Sequence, residues 1–375
     1  MRLRHFILLV VTAMVLGGCR IEPPLYLRKP VATELMLATK VDVQIMWQAD
    51  WETRWQFAWN TSVYGPLGYR LPGSMRVHIY SQDSNGIPRT HTVHNFVGSY
   101  TQLNIFAGYH NFLFHNNDSE AIQFTSDGDM GDVWAFTRDI SRGLKTSSPV
   151  YTMSQKMLGM NTKADGDEVD EPVSLPPDDL FAVYVPDYYV SDNLDDYVYE
   201  NGRYVLKMEH ELSPATFIYL FQVTLLNNEG RVVGSSGGAA VTGMAGGADL
   251  TARMSESETV SVPMDVYMDR TNDMMGAKVY SFGIPGCDPY DPESVAAAPE
   301  GKHFFVLNVS YVNGTYKNIR VDVTDEIRAL PLGGVIPIEI DVNDFPPEGG
   351  AVGDGGFNAL VGDWDEKTGS TTILN

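Results

Sequence analysis

Alternation of apolar and polar residues at period two is the feature that most restricts this chain. Met75, Val77 and Ile79 alternate with Arg76, His78 and Tyr80, and Val41, Val43 and Ile45 alternate with polar neighbours in the same way. Successive side chains of a strand point to opposite faces, so the pattern predicts half-buried strands. Further strands are expected at Thr92 to Val97, Gln102 to Phe106, Tyr109 to His115 and Leu180 to Val185, then at Tyr204 to Met208, Phe217 to Leu226, Thr259 to Asp265 and Val335 to Val342. Turn residues such as Asp83-Ser84-Asn85-Gly86 and Ala107-Gly108 separate them. The clearest hairpin joins Phe304 to Tyr311 with Thr315 to Val323 through Asn313-Gly314, a pair that tolerates positive φ. A short strand is expected at the carboxyl end, and only short helices fit, near Ala49 to Asn60 and Ile140 to Met153. Two series of strands without αβ alternation predict an all-β protein made of two antiparallel sandwiches in tandem. The 375-residue length agrees, because single cores rarely grow past about 250 to 300 residues.

The amino terminus reads as an address. Arg2 and Arg4 precede an apolar run from Phe6 to Leu16, and Leu16-Gly17-Gly18-Cys19 comes next. A spanning helix needs roughly 20 apolar residues, so this run is too short for an anchor and residues 1–18 read as a signal peptide. Small residues before a cysteine form a lipobox, in which the Cys19 thiol takes a diacylglycerol group and holds the mature chain to a membrane. Arg20 stands after it, with no Asp there to signal retention at the inner membrane, so the expected location is the outer membrane. Residues 19–30, with Pro23, Pro24 and Pro30, are expected to form a stiff lipidated tether. The two β-domains then fall at 31–195 and 196–375. The acidic, Pro-bearing stretch Thr162 to Pro177 has no apolar period and reads as a solvated loop.

The charge excludes some functions. Twenty-six basic residues against 48 acidic ones give −22, and loss of Arg2 and Arg4 makes the mature chain more acidic still. A partner held through phosphates needs a basic face, so nucleic acid is not expected. Gly234-Ser235-Ser236-Gly237-Gly238 has the letters of a nucleophile elbow, but Ala239 to Gly247 is a poor helix sequence, and a turn between strands is expected instead. His91 with His94, and His110 with His115, sit at odd spacings that put the members of each pair on opposite faces of a strand. Asp127, Asp129 and Asp132 resemble a fragment of a calcium loop, but Arg138 stands where the closing bidentate Glu belongs. No catalytic residue, metal or cofactor is therefore expected. Cys287 reads as a lone thiol without a matched base.

Trp47, Trp51, Trp55 and Trp59 recur every four residues. That spacing keeps one face on a strand and nearly one face on a helix. The stripe reads as core packing; its alternative is an aromatic platform for glycans or another subunit, which requires neighbouring exposed indoles.

Several segments resemble a known family. The lipobox at Cys19, Met75 to Tyr80 followed by Asn85-Gly86, and Ile105 to Asn116 are similar to the first domain of Bacteroidota fimbrillin-like lipoproteins. Gly108, Phe112, Leu113 and Asn116 match that domain's motif by type, while His110 stands where Tyr is usual. Val321 to Ile327, Val335 to Ile340 and Gly355 to Trp364 are similar to a Bacteroidota lipoprotein family of unknown function beside the fimbrillins and their anchor subunits. The resemblance implies two transthyretin-like β-sandwiches and membership of a surface fimbria as anchor, stalk or tip. It also implies partners that join by strand addition. Stalk subunits of that kind lose an amino-terminal strand to an Arg-specific protease, for which Arg28 and Arg54 are the candidate sites here. An uncleaved chain keeps its lipid and reads as an anchor or a stand-alone adhesin.

Overall fold

The computed structural model describes residues 31–39, 54–82, 88–125, 133–138, 171–347 and 371–374. Three sheets stack around two apolar cores, and a small fourth sheet ties the two halves of the chain together.

The first sheet runs β3-β2-β5-β8-β10-β1-β4. Its strands are β1 (Val31–Thr39), β2 (Ser74–Gln82), β3 (Pro88–Val97), β4 (Tyr100–Ile105), β5 (Gly108–Asn116), β8 (Phe181–Val190) and β10 (Arg203–Pro214), with β9 (Val198–Glu200) beside β10. β8 and β10 share only the pairs Ser213↔Ala182 and Pro214↔Phe181. The sheet therefore folds over at this corner, and its two wings enclose Val77, Ile79, Phe112 and Phe114 on one side with Leu103, Ile105, Met208 and Leu212 on the other. The expected alternation is present in β2, where Met75, Val77 and Ile79 are buried in this core. Gly108 takes φ +136° at the β4–β5 turn, which explains the glycine of the motif. Asn116, at the motif's other end, accepts from Phe181 N and donates to Asp179 O, tying β5 to the start of β8.

The second sheet is β16-β17-β11-β20, from β11 (Phe217–Leu226), β16 (Val266–Asp269), β17 (Met274–Ser281) and β20 (Gly333–Asp341). β11 lies between two apolar layers. Phe217, Tyr219, Phe221, Val223 and Leu225 enter one core, while Ile218 and Leu220 enter the other. A strand buried on both faces needs no polar alternation, and Phe217 to Leu225 indeed reads as a nearly continuous apolar run.

The third sheet is β15-β12-β18-β19-β21, from β12 (Val232–Ala245), β15 (Thr259–Met264), β18 (Phe304–Tyr311), β19 (Tyr316–Asp322) and β21 (Thr371–Leu374). It packs on the second sheet through Phe305, Leu307, Val309, Ile319 and their neighbours. The β18–β19 hairpin forms at Asn313-Gly314 as expected, with Gly314 at φ +83° and the Asn313 side chain accepting from Thr315 N. Gly234 to Gly238 is not a turn between strands. It lies inside β12, where register shifts mark a bulged strand and Gly237 and Gly238 take positive φ.

The fourth sheet draws β6 (Ile122–Phe124) and β7 (Trp134–Thr137) from one half of the chain and β13 (Gly247–Asp249) and β14 (Met254–Ser255) from the other. Three short α-helices, α1 (Thr61–Tyr64), α2 (Pro292–Ala297) and α3 (Thr324–Ala329), and two 3-10 turns at Leu194–Asp196 and Val342–Asp344 complete the described residues. Among the described residues no helix is long and apolar enough to cross a membrane.

Candidate functional site

β1 occupies the position with the most evident functional consequence. It runs parallel to β10 from Ala32↔Val205 to Thr39↔Leu212, and antiparallel to β4 from Val31↔Ile105 to Met36↔Tyr100. β4 has no other strand partner among the described residues. Removing β1 would strip β4 of its ladder and open the long edge of β10, leaving two rows of unpaired N–H and C=O groups. The slot is therefore built for an extended segment held by main-chain hydrogen bonds.

The sequence-derived site residues fall in different places. Cys19, Trp47 and Trp51 lie outside the described residues, as do Arg28, Asp127, Asp129, Asp132 and the segment from Gly355 to Trp364. Trp55 is 9% exposed and packs edge-on to Phe57 in the core between the first and second sheets. Trp59 is half-buried at the rim of that core. Both belong to the chain segment that crosses the second sheet, where Phe57 N donates to Gln222 Oε1 at 3.1 Å and Tyr69 OH to Thr216 O at 3.0 Å. Arg54 is exposed at the start of this segment.

Trp59 forms one wall of a cleft of about 570 Å³. Its indole N–H donates to Gly65 O at 2.9 Å, which fixes the ring against Tyr64 and Tyr267. Those tyrosines stack face to face at 3.6 Å between centroids. Arg70, Lys278 and Tyr280 also line the cleft. The Lys278 ammonium lies 4.4 Å from the Tyr280 ring centroid and donates to Pro66 O at 2.7 Å and Tyr280 OH at 3.0 Å. Tyr280 donates in turn to Asp179 Oδ1 at 2.9 Å, and Arg70 Nε donates to Asp179 Oδ2 at 3.0 Å. Burial lowers Lys278 to about 8, against the pull of Asp179. The tyrosine and lysine positions give no sequence signal, because α1 lies far in the chain from β16 and β17.

The histidines form an assembly that spacing along one strand does not reveal. His91 and His94 lie on opposite faces, as expected, since they pair with Tyr80 and Val77. His110 bonds Ser81 Oγ and Phe106 O on one face, and His115 lies on the other. Yet His78, His91 and His115, from three neighbouring strands, meet on the outer face of the first sheet. His115 Nδ1 is 2.7 Å from Asn116 O, a pure acceptor, so Nδ1 carries the proton and Nε2 accepts from His78 Nε2 at 3.2 Å. His78 Nδ1 then accepts from His91 Nε2 at 3.1 Å. The three rings are neutral: burial holds His78 at about 4 and His115 at about 3, with nearby Arg76 acting in the same direction.

Chemistry at the other nucleophiles is poorly supported. Ser236, the central serine of the Gly-x-Ser-x-Gly letters, has its side chain outside the described ones, and its neighbour Ser235 donates Oγ–H to Gly238 O within the bulged strand. Cys287 is buried, and burial raises its thiol, which keeps it protonated and unreactive. Among the described residues no group of three or more His, Cys, Asp or Glu side chains is arranged so that it could hold a metal ion.

Solved structures resemble the chain at low identity. A candidate adhesin from Bacteroides ovatus is 14% identical with a TM-score of 0.49, over 86% of this chain and 97% of that one. The fimbrial anchor protein Mfa2 from Porphyromonas gingivalis is 11% identical with a TM-score of 0.40, over 83% and 90%. A candidate adhesin from Bacteroides thetaiotaomicron is 9% identical with a TM-score of 0.41, over 84% and 92%. Curated proteins gave no match. Residues 53–265, more than half of the chain, match the model of DUF5119, a domain of unknown function, and the protein belongs to that family.

Proposed function

We propose that the protein is a non-enzymatic outer-membrane lipoprotein, tethered through Cys19, that acts as a fimbrial subunit (anchor, stalk or tip) or a cell-adhesion protein. The observation that carries this reading is β1, an amino-terminal strand that alone among the described residues supplies the partner of β4 and lies beside the long edge of β10. Eleven residues separate Cys19 from Val31, a reach of at most about 40 Å, so a lipid at Cys19 holds this sheet close to the membrane. The lipobox and the fimbrillin-like motifs support the same reading. With β1 in place the slot is filled, which favours the anchor end of an assembly. Loss of β1 would present a groove for a neighbour's strand.

Two measurements test it. Mass spectrometry of the cell-derived protein is expected to find an acylated Cys19 as the first residue; any other start defeats the anchor reading. A chain beginning after Thr39 is expected to take up a synthetic Val31–Thr39 peptide and so recover hydrogen-exchange protection in β4 and β10. Absence of uptake defeats strand addition.

A second reading, a surface glycan-binding lipoprotein, is favoured by one observation: Trp59 shares a cleft wall with Tyr64 and Tyr267. Trp55, being buried, takes no part in it.

A further inference from the structure

We propose that the cleft between Trp59 and Lys278 binds an acidic saccharide, with Arg70 and Lys278 receiving its carboxylate and the Trp59, Tyr64 and Tyr267 rings receiving its sugar faces. The inference rests on the glycan reading and is independent of strand addition.

The cleft has the size of a small-ligand site, its 570 Å³ lying within the usual range of ~300–1,000 Å³. The rings are half-buried and locked to one another by the Tyr64–Tyr267 stack and the Trp59 edge contacts, so little side-chain freedom is lost on binding. Flat rings of this kind pack against the C–H faces of a pyranose.

The polar groups decide the charge of the ligand. Asp179 is spent: its two oxygens accept from Tyr280 OH, Arg70 N and Arg70 Nε. Asp178 is engaged as well, accepting from Ser119 Oγ and Glu120 N. Asp265 is exposed at the rim. On the donor side, among the described residues, Arg70 uses only Nε, leaving the outer fork of a side chain that is 64% exposed. Lys278 uses two of its three N–H bonds, on Pro66 O and Tyr280 OH. The donors left to a ligand inside the cleft are therefore the outer Arg70 fork and one Lys278 N–H, which a carboxylate can satisfy as acceptor. A carboxylate fits the guanidinium fork in two-point fashion and can accept the remaining N–H of the half-buried ammonium. A ligand with aromatic-packing faces and one carboxylate per ring is a uronic or sialic acid unit.

The test uses the purified full chain and two probes of equal shape, tetragalacturonate and its methyl ester, followed by tryptophan fluorescence and calorimetry. The acid is expected to bind at least tenfold more tightly than the ester, and the preference is expected to shrink with added salt and above pH 8. Arg70→Gln, at an exposed position, and Lys278→Met are each expected to weaken the acid at least tenfold and the ester little. Equal binding of acid and ester overturns the proposal while leaving the glycan reading standing. Binding of neither overturns both. Preference for an acidic peptide over the acid saccharide overturns the proposal by assigning the cations to a protein partner.

Discussion

β1 and β11 hold equivalent positions in two different sheets. Each lies between a parallel partner and an antiparallel one: β10 and β4 for β1, β20 and β17 for β11. Their settings in the chain differ. β11 sends alternate side chains into two cores, so its place is set by packing on both faces as well as by two ladders. β1 comes after a Pro-rich stretch near the start of the chain, and its removal leaves β4 without any ladder among the described residues. A strand in the middle of a sheet is thus structural or exchangeable according to its connections. Main-chain pairing can be replaced by any extended segment, whereas shape-matched side chains in two cores cannot.

The largest expected effect tests the fixed member. Phe221 is fully buried and stacks on Phe305 at 4.7 Å, so Phe221→Ala should cost about 3–5 kcal/mol and lower the urea midpoint of the whole second and third sheets. A chain lacking residues 1–39 should retain that midpoint while losing protection only in β4 and β10; a collapse of both regions would break the distinction. Gly276→Ala comes next. A Cβ there would lie 2.5 Å from Phe57 Cδ1, and relief of the clash should cost about 1–3 kcal/mol and loosen residues 54–70 from β17, seen as faster exchange at Phe57 N.

Acid acts on both regions. His78 and His115 in the first sheet, and the fully buried His303 at the start of β18, are held near 4, 3 and 4 by burial. Their native values lie below the unfolded value of about 6.5, so their neutral forms add stability that is full above pH 6.5. That stability is lost as pH falls through about 6.5 towards about 3. Denaturation midpoints at pH 7, 5 and 4 should fall in that order. His115→Asn should flatten the fall for the first sheet and His303→Gln for the third, which sorts the sensitivity by region. The smallest effect is expected at the hairpin, where Gly314→Ala at φ +83° should cost about 1 kcal/mol without touching β1.

Much of the strand content is legible in the sequence. Phe217 to Leu226 and Phe304 to Tyr311 coincide with β11 and β18, because long apolar runs bounded by turn residues are strong local signals. β1 carries no such signal: VATELMLAT lacks strict alternation. β6, β7, β13 and β14 have two to four residues each, too few for any period to show. Val41 to Ile45, the helix expected near Ile140 to Met153 and the Gly355 to Trp364 segment lie outside the described residues. The bulge at Gly234 to Gly238 reads as a turn in the sequence because glycine marks both, and only pairing with β18 distinguishes them.

The site residues divide in the same way. A four-residue tryptophan spacing cannot tell that Trp55 turns into the core while Trp59 edges a cleft. That outcome depends on Tyr267 and Tyr280, contributed more than 200 residues later. The histidine assembly needs three strands in register before residues at odd spacings along one strand become neighbours across them.

By itself the sequence determined that this chain would be β-rich and acidic, with a short apolar run before Leu16-Gly17-Gly18-Cys19 near its start. These are properties of composition and of periods shorter than one strand. Only the tertiary structure decided that β8 and β10, on either side of residue 195, share a sheet; that β11 serves two cores; and that β1 completes β4. The reason is physical: alternation specifies which face of a strand is buried, but which strand lies beside it is set by contacts between segments far apart in the chain, whose energy no local pattern contains.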